Sequence, residues 1–80
     1  MLLEDLRLYP DVEAIEIERC RLTDSDLMEV DFVAASVKFL NLRGNELVHP
    51  WIFLPTKFPN VFHLDLRGNR LEGYITSVET

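Results

Sequence analysis

The sequence predicts an α/β fold in which about three short strands lie parallel and the chain coils back between them as a short solenoid. Three observations predict it. An eleven-residue pattern occurs three times, as V-E-A-I-E-I-E-R-C-R-L over 12–22, V-K-F-L-N-L-R-G-N-E-L over 37–47 and V-F-H-L-D-L-R-G-N-R-L over 61–71. In every copy the first, fourth, sixth and eleventh places are aliphatic and the ninth is Cys or Asn. The copies are evenly spaced, with 25 residues from Ile15 to Leu40 and 24 from Leu40 to Leu64. Such a period is the mark of stacked repeats, because one unit cannot bury its apolar face alone and its neighbour covers it.

The three copies follow the template L-x-x-L-x-L-x-x-N/C-x-L, and on those residues the chain resembles the leucine-rich repeat superfamily over residues 12–75. The resemblance implies a parallel sheet on a concave face, return segments on a convex face and a cap over the first repeat. It also implies a protein-binding module of the short intracellular type. Extracellular members carry disulfide-stapled caps, and a chain with one cysteine has no internal disulfide to form. The expected setting is therefore reducing and intracellular, cytoplasmic or nuclear.

Each element has its own cause. Leu2, Leu3, Leu6 and Tyr9 share one helical face before Pro10, which predicts a capping helix within residues 1–11. The first strand is expected around Ala14–Ile17 in a repeat spanning 12–36. Thr23-Asp24-Ser25-Asp26 offers several helix N-caps, and Leu27, Val30 and Ala34 follow at helical spacing, so one convex helix is predicted over 24–35. The second repeat, 37–60, has its strand at Phe39–Leu42. Its return segment holds Pro50, Pro55 and Pro59, which predict an extended or single-turn path instead of a regular helix. The third repeat, 61–80, has its strand within Phe62–Leu66 and is incomplete by the pattern. Its last recognisable stretch is Glu72-Gly73-Tyr74-Ile75. A bare strand edge and an apolar end face are expected after it, to be covered by the tail, a partner or further repeats. All 80 residues make one domain.

Charge and hydropathy bound the function. The net charge is −6 and unevenly placed: residues 1–31 hold ten acids and three bases, residues 32–80 four acids and five bases. Phosphate backbones repel such a chain, so a protein partner with a basic or mixed surface is the expectation. The alternative is that the acids form a solvated face. No apolar run reaches the roughly 18 residues of a membrane span. Met1-Leu2-Leu3-Glu4-Asp5 lacks the basic start of a signal peptide.

Register places the side chains. The inward columns are Ile15, Leu40, Leu64 and Ile17, Leu42, Leu66, flanked by Val12, Val37, Val61 and Leu22, Leu47, Leu71. Cys20, Asn45 and Asn69 are expected to point inward and serve backbone groups at the turn. Gly44 and Gly68 permit that turn. The outward rows are Ala14, Phe39, His63; Glu16, Asn41, Asp65; and Glu18, Arg43, Arg67. Phe39 is an aromatic that the fold does not require there. The candidate partner-binding residues are therefore Glu16, Glu18, Phe39, Asn41, Arg43, His63, Asp65 and Arg67. The competing reading is a solvated face with Glu18 and Arg43 as a weak ion pair. Trp51, Ile52 and Phe53 are either core between repeats or an exposed patch.

Catalytic signals are missing. His49 and His63 are 14 residues apart, and the sequence contains no H-E-x-x-H, C-x-x-C, G-x-S-x-G or phosphate loop. No cofactor or metal is expected, and the chain is not expected to be an enzyme. The expected function is protein–protein interaction or scaffolding as a small subunit of a larger assembly. Two alternatives stand beside it: a ribonucleoprotein adaptor touching RNA through Arg43, Arg67 and Arg70, and a structural end piece of a longer repeat protein.

Overall fold

Parallel pairing of three short strands organises the computed structural model, which describes residues 3–72. The strands are β1 (Ala14–Glu16), β2 (Phe39–Asn41) and β3 (His63–Asp65), in the order β1-β2-β3. Ala14 faces Phe39 and Phe39 faces His63; Ile15, Leu40 and Leu64 form the next rung, and Glu16, Asn41 and Asp65 the third. This is the register that the repeat spacing predicts. The ladder continues past the strand ends: Ile17 N–H donates to the Asn41 carbonyl and Leu42 N–H to that of Asp65, both at 2.9 Å. The result is a small α/β fold with a three-stranded parallel sheet.

The inner columns build the core. Val37, Leu42 and Leu47 in the middle copy are fully buried; of their counterparts Leu66 is too, Ile17 and Leu22 are buried, and Val12, Val61 and Leu71 are only partly covered. Leu27, Val30, Leu54 and Phe58 from the segments between strands complete the cluster. Each such side chain contributes about 1.5–3 kcal/mol through the water it releases. Leu54 and Phe58 reach the core from α2 (Leu54–Lys57), one helical turn preceded by a 3-10 turn at Pro50–Ile52. The single-turn path expected of a proline-rich segment is thus the one observed.

The convex helix predicted over 24–35 is much shorter. It is α1 (Asp24–Met28), so the segments between strands carry two brief helices instead of one long one. Its start matches the expectation: Thr23 is the N-cap, and its side chain and that of Asp26 form a reciprocal capping box. Its failure to run on to residue 34 has a visible cause. A longer helix needs Ala34 N–H to bond the Val30 carbonyl. Here Ala34 N–H donates to the Lys57 carbonyl at 2.8 Å, and the Lys57 ammonium donates to the Val30 carbonyl. One residue of the neighbouring segment takes both groups, and Val30 and Ala34 still reach the core.

The N-terminal cap also differs. Leu3–Leu8 is a 3-10 helix, whose three-residue turn cannot keep the expected face together. Leu6 is buried, but Tyr9 is exposed, and Leu2 lies outside the described residues. The Arg7–Asp31 ion pair ties this cap to the segment after α1, and the Arg7 guanidinium lies 5.3 Å from the Phe32 ring centre. The expected continuation Gly73-Tyr74-Ile75 and the tail to Thr80 lie outside the described residues.

The turns after the strands explain the ninth and eighth places of the pattern. Asn45 Oδ1 accepts from the N–H groups of Cys20 and Leu22, both at 3.0 Å, and its Nδ2 donates to the carbonyls of Ile17 at 2.6 Å and Leu42 at 2.9 Å. Asn69 repeats the role one layer on, accepting from Leu47 N–H and donating to the carbonyls of Leu42 and Leu66. Cys20 departs from the prediction: it is exposed, and its thiol donates to the Glu18 carbonyl. It lies on β1's turn, at the edge of the described layers, where it has no earlier layer to bridge. Arg19, Gly44 and Gly68 share a left-handed backbone with φ of 53°, 70° and 76°. A Cβ on Gly68 would lie 3.3 Å from the Gly44 nitrogen, so adjacent turns meet main chain to main chain there.

Candidate functional site

The outward side chains of the three strands form one mixed surface. All eight residues expected on it, Glu16, Glu18, Phe39, Asn41, Arg43, His63, Asp65 and Arg67, belong to the strands or the turn positions just beyond them. Their roles divide. Asn41 Oδ1 accepts from Arg43 N–H, and Asp65 Oδ1 accepts from Arg67 N–H, each at 3.1 Å. These side chains therefore hold the backbone that leads into each left-handed turn. Asn41 and Asp65 have a folding duty beside any contact role.

Asp65 is the electrostatic centre of one side. The Arg67 guanidinium donates to both its oxygens, at 3.0 and 2.7 Å, and Arg43 Nε stands 3.9 Å away. These hydrogen bonds from Arg67 outweigh the partial desolvation and hold the Asp65 carboxyl at about 2, against an ordinary 3.8. The Glu18–Arg43 pair of the competing reading is not formed. Glu18 Oε2 instead accepts from Asn41 Nδ2 at 3.1 Å, and Arg43 Nε stands 3.9 Å from Asp65.

The aromatic side of the face is larger than the sequence suggested. Phe39 is 42% exposed and Phe62 is 70% exposed. Their rings meet edge to face with centres 5.1 Å apart, and the His63 ring lies 5.8 Å from that of Phe39. Phe62 was missed because it sits at the second place of the pattern, outside the strict outward rows. The signal was present: Glu13 and Lys38 hold that place in the other copies and form a 3.7 Å ion pair, whereas the third copy puts a phenyl ring there.

Elsewhere, Trp51 is half-buried and meets His49 edge to face at 5.7 Å, Phe53 packs on the core and Ile52 is exposed. This trio is therefore divided between core and surface. A cavity of about 330 Å³ opens between the N-terminal 3-10 helix and residues 32–36, lined mainly by Leu6, Tyr9, Val12 and Phe32. Among the described residues no group of three His, Cys, Asp or Glu side chains is placed to hold a metal ion. No helix among them is long and apolar enough to cross a membrane. No protein-family model, curated protein or solved structure matches this chain significantly.

Proposed function

We propose that the chain is a non-catalytic protein-interaction module of the leucine-rich repeat type. It serves as a small intracellular subunit of a larger assembly, with the outer face of its sheet as the contact surface. The in-register aliphatic columns and the paired Asn45 and Asn69 networks support the repeat assignment. The observation that carries the function is the exposed Phe39–Phe62 pair. Neither ring fills the core; Phe39 stands on β2 and Phe62 just before β3. Aromatic anchors ringed by polar residues dominate binding energy at protein interfaces.

The RNA-adaptor alternative has less support. Two of the three arginines it needs, Arg43 and Arg67, are already engaged with Asp65. Binding measured as a function of salt separates the two readings, since phosphate contacts weaken steeply as salt rises.

The direct test is comparative capture from native extract, using wild type, Phe39→Ala and Arg67→Glu, read by mass spectrometry. The partners held by wild type are expected to drop at least about tenfold with Phe39→Ala, the loss of roughly 1.4 kcal/mol at one anchor. If both variants keep every partner, the outer face is not the contact surface.

A further inference from the structure

Across the outer face, the carboxylate on one side is paired and the two on the other are left open. On the β3 side Asp65 is saturated by Arg67 and approached by Arg43. On the β1 side Glu16 and Glu18 are exposed. Glu18 meets only the neutral amide of Asn41, and Glu16 meets no partner among the described residues. The Phe39 row adjoins that of Glu16 and lies two rows from Glu18. Ala14 is the exposed outward residue of β1 in the Phe39 row, so β1 sets only a methyl group beside Phe39 there. Strands lie about 5 Å apart and same-face residues about 7 Å apart along a strand. Glu16 therefore stands about 7 Å along β1 from an apolar seat floored by Ala14 and walled by Phe39, and Glu18 about twice as far.

We infer that this face takes a basic segment of another protein, with one apolar or aromatic side chain seated over Ala14 against Phe39 and a lysine or arginine one to three residues away meeting Glu16 and Glu18. The inference rests on the interaction-module reading and adds the partner's chemistry to it. Charge complementarity selects the occupant. An acidic segment meets two unscreened carboxylates, and a purely apolar one leaves them beside a dry contact. A nucleic-acid strand offers bases to the rings, but its phosphates fall on the same carboxylates.

The test selects a displayed library of random peptides on the full chain and measures the enriched peptides by fluorescence anisotropy. Wild type is compared with Phe39→Ala and with Glu16→Lys/Glu18→Lys. All three positions are solvent-facing, and circular dichroism verifies the fold of each. The expected peptides carry Lys or Arg within three residues of an aromatic or aliphatic side chain. Each variant is expected to weaken them at least tenfold, and the double reversal to favour acidic peptides instead. Peptides that lack basic residues, or that bind the charge-reversed protein equally well, overturn the basic-partner inference. If those peptides still depend on Phe39, the interaction face itself stands. Insensitivity to all three changes, or no enrichment at all, overturns both. A labelled oligouridine that binds at low salt and is displaced by the selected peptides overturns the assignment to a protein partner.

Discussion

Asn45 carries more of this fold than any other polar side chain described. Five backbone groups, from Ile17, Cys20, Leu22, Leu42 and Arg43, bond its amide, and the residue is 3% exposed. In Asn45→Ala the Leu42 carbonyl keeps Asn69 Nδ2 and the Arg43 carbonyl keeps Arg19 N–H, so the loss falls on Ile17, Cys20 and Leu22, at about 1–3 kcal/mol for each group that finds no substitute. The expected loss is at least about 3 kcal/mol in urea unfolding; a loss below about 1 would contradict the network. The convergence of Cys20 and Leu22 N–H on one oxygen also accounts for Arg21, whose φ of 57° folds the chain between them. Asp65 makes a second prediction. Its carboxyl is held near 2 when folded and returns to about 3.8 when released. Its contribution is therefore fully present above the unfolded value and is lost as pH falls through about 2. Arg67 is 57% exposed, and water screening reduces the effect to about 1 kcal/mol. Arg67→Ala should destabilise the protein by that amount at pH 5 and by only a small part of it at pH 2. A difference that persists unchanged to pH 2 would remove the pair from the explanation.

The helices show how far sequence carries at the level of elements, and where it stops. Thr23 and Asp26 announced the start of α1, because a capping box is a local arrangement written within four residues. Thr23→Ala is expected to cost about 1 kcal/mol in thermal unfolding, and a melting temperature equal to wild type would show that the cap is dispensable. The end of α1 was not legible. Leu27, Val30 and Ala34 carry a helical period, yet Lys57, more than twenty residues downstream, claims the backbone groups that would have continued the helix. Asp24 is similar: it reads as a cap, but its carboxylate accepts from the N–H groups of Val48 and His49 and joins α1 to the next layer. The strands were legible because their register follows from repeat spacing alone. Of the site, the outward rows could be read from that register, whereas the Phe62 ring contact and the preference of Arg43 for Asp65 over Glu18 depend on where side chains lean.

Among the described residues, the strand-centre rung is best covered in the middle layer. Leu40 and Leu42 lie under neighbours on both sides, while Leu64 at the β3 edge is only partly buried. Leu42→Ala should therefore cost about 2–5 kcal/mol and Leu64→Ala distinctly less, judged by urea midpoints. Equal costs would argue against layered cover. Hydrogen exchange offers a parallel check, with the amides of Leu40 and Leu42 expected to outlast those of β1. The contact between Gly44 and Gly68 bears on the same layers from another direction. At that corner the rise from one coil to the next is a bare main-chain thickness and has no slack. A side chain added at Gly68 would push the two turns apart, and with them the strands that lead into those turns. Gly68→Ala should therefore disturb the spacing of the Phe39 and Phe62 rings while touching neither.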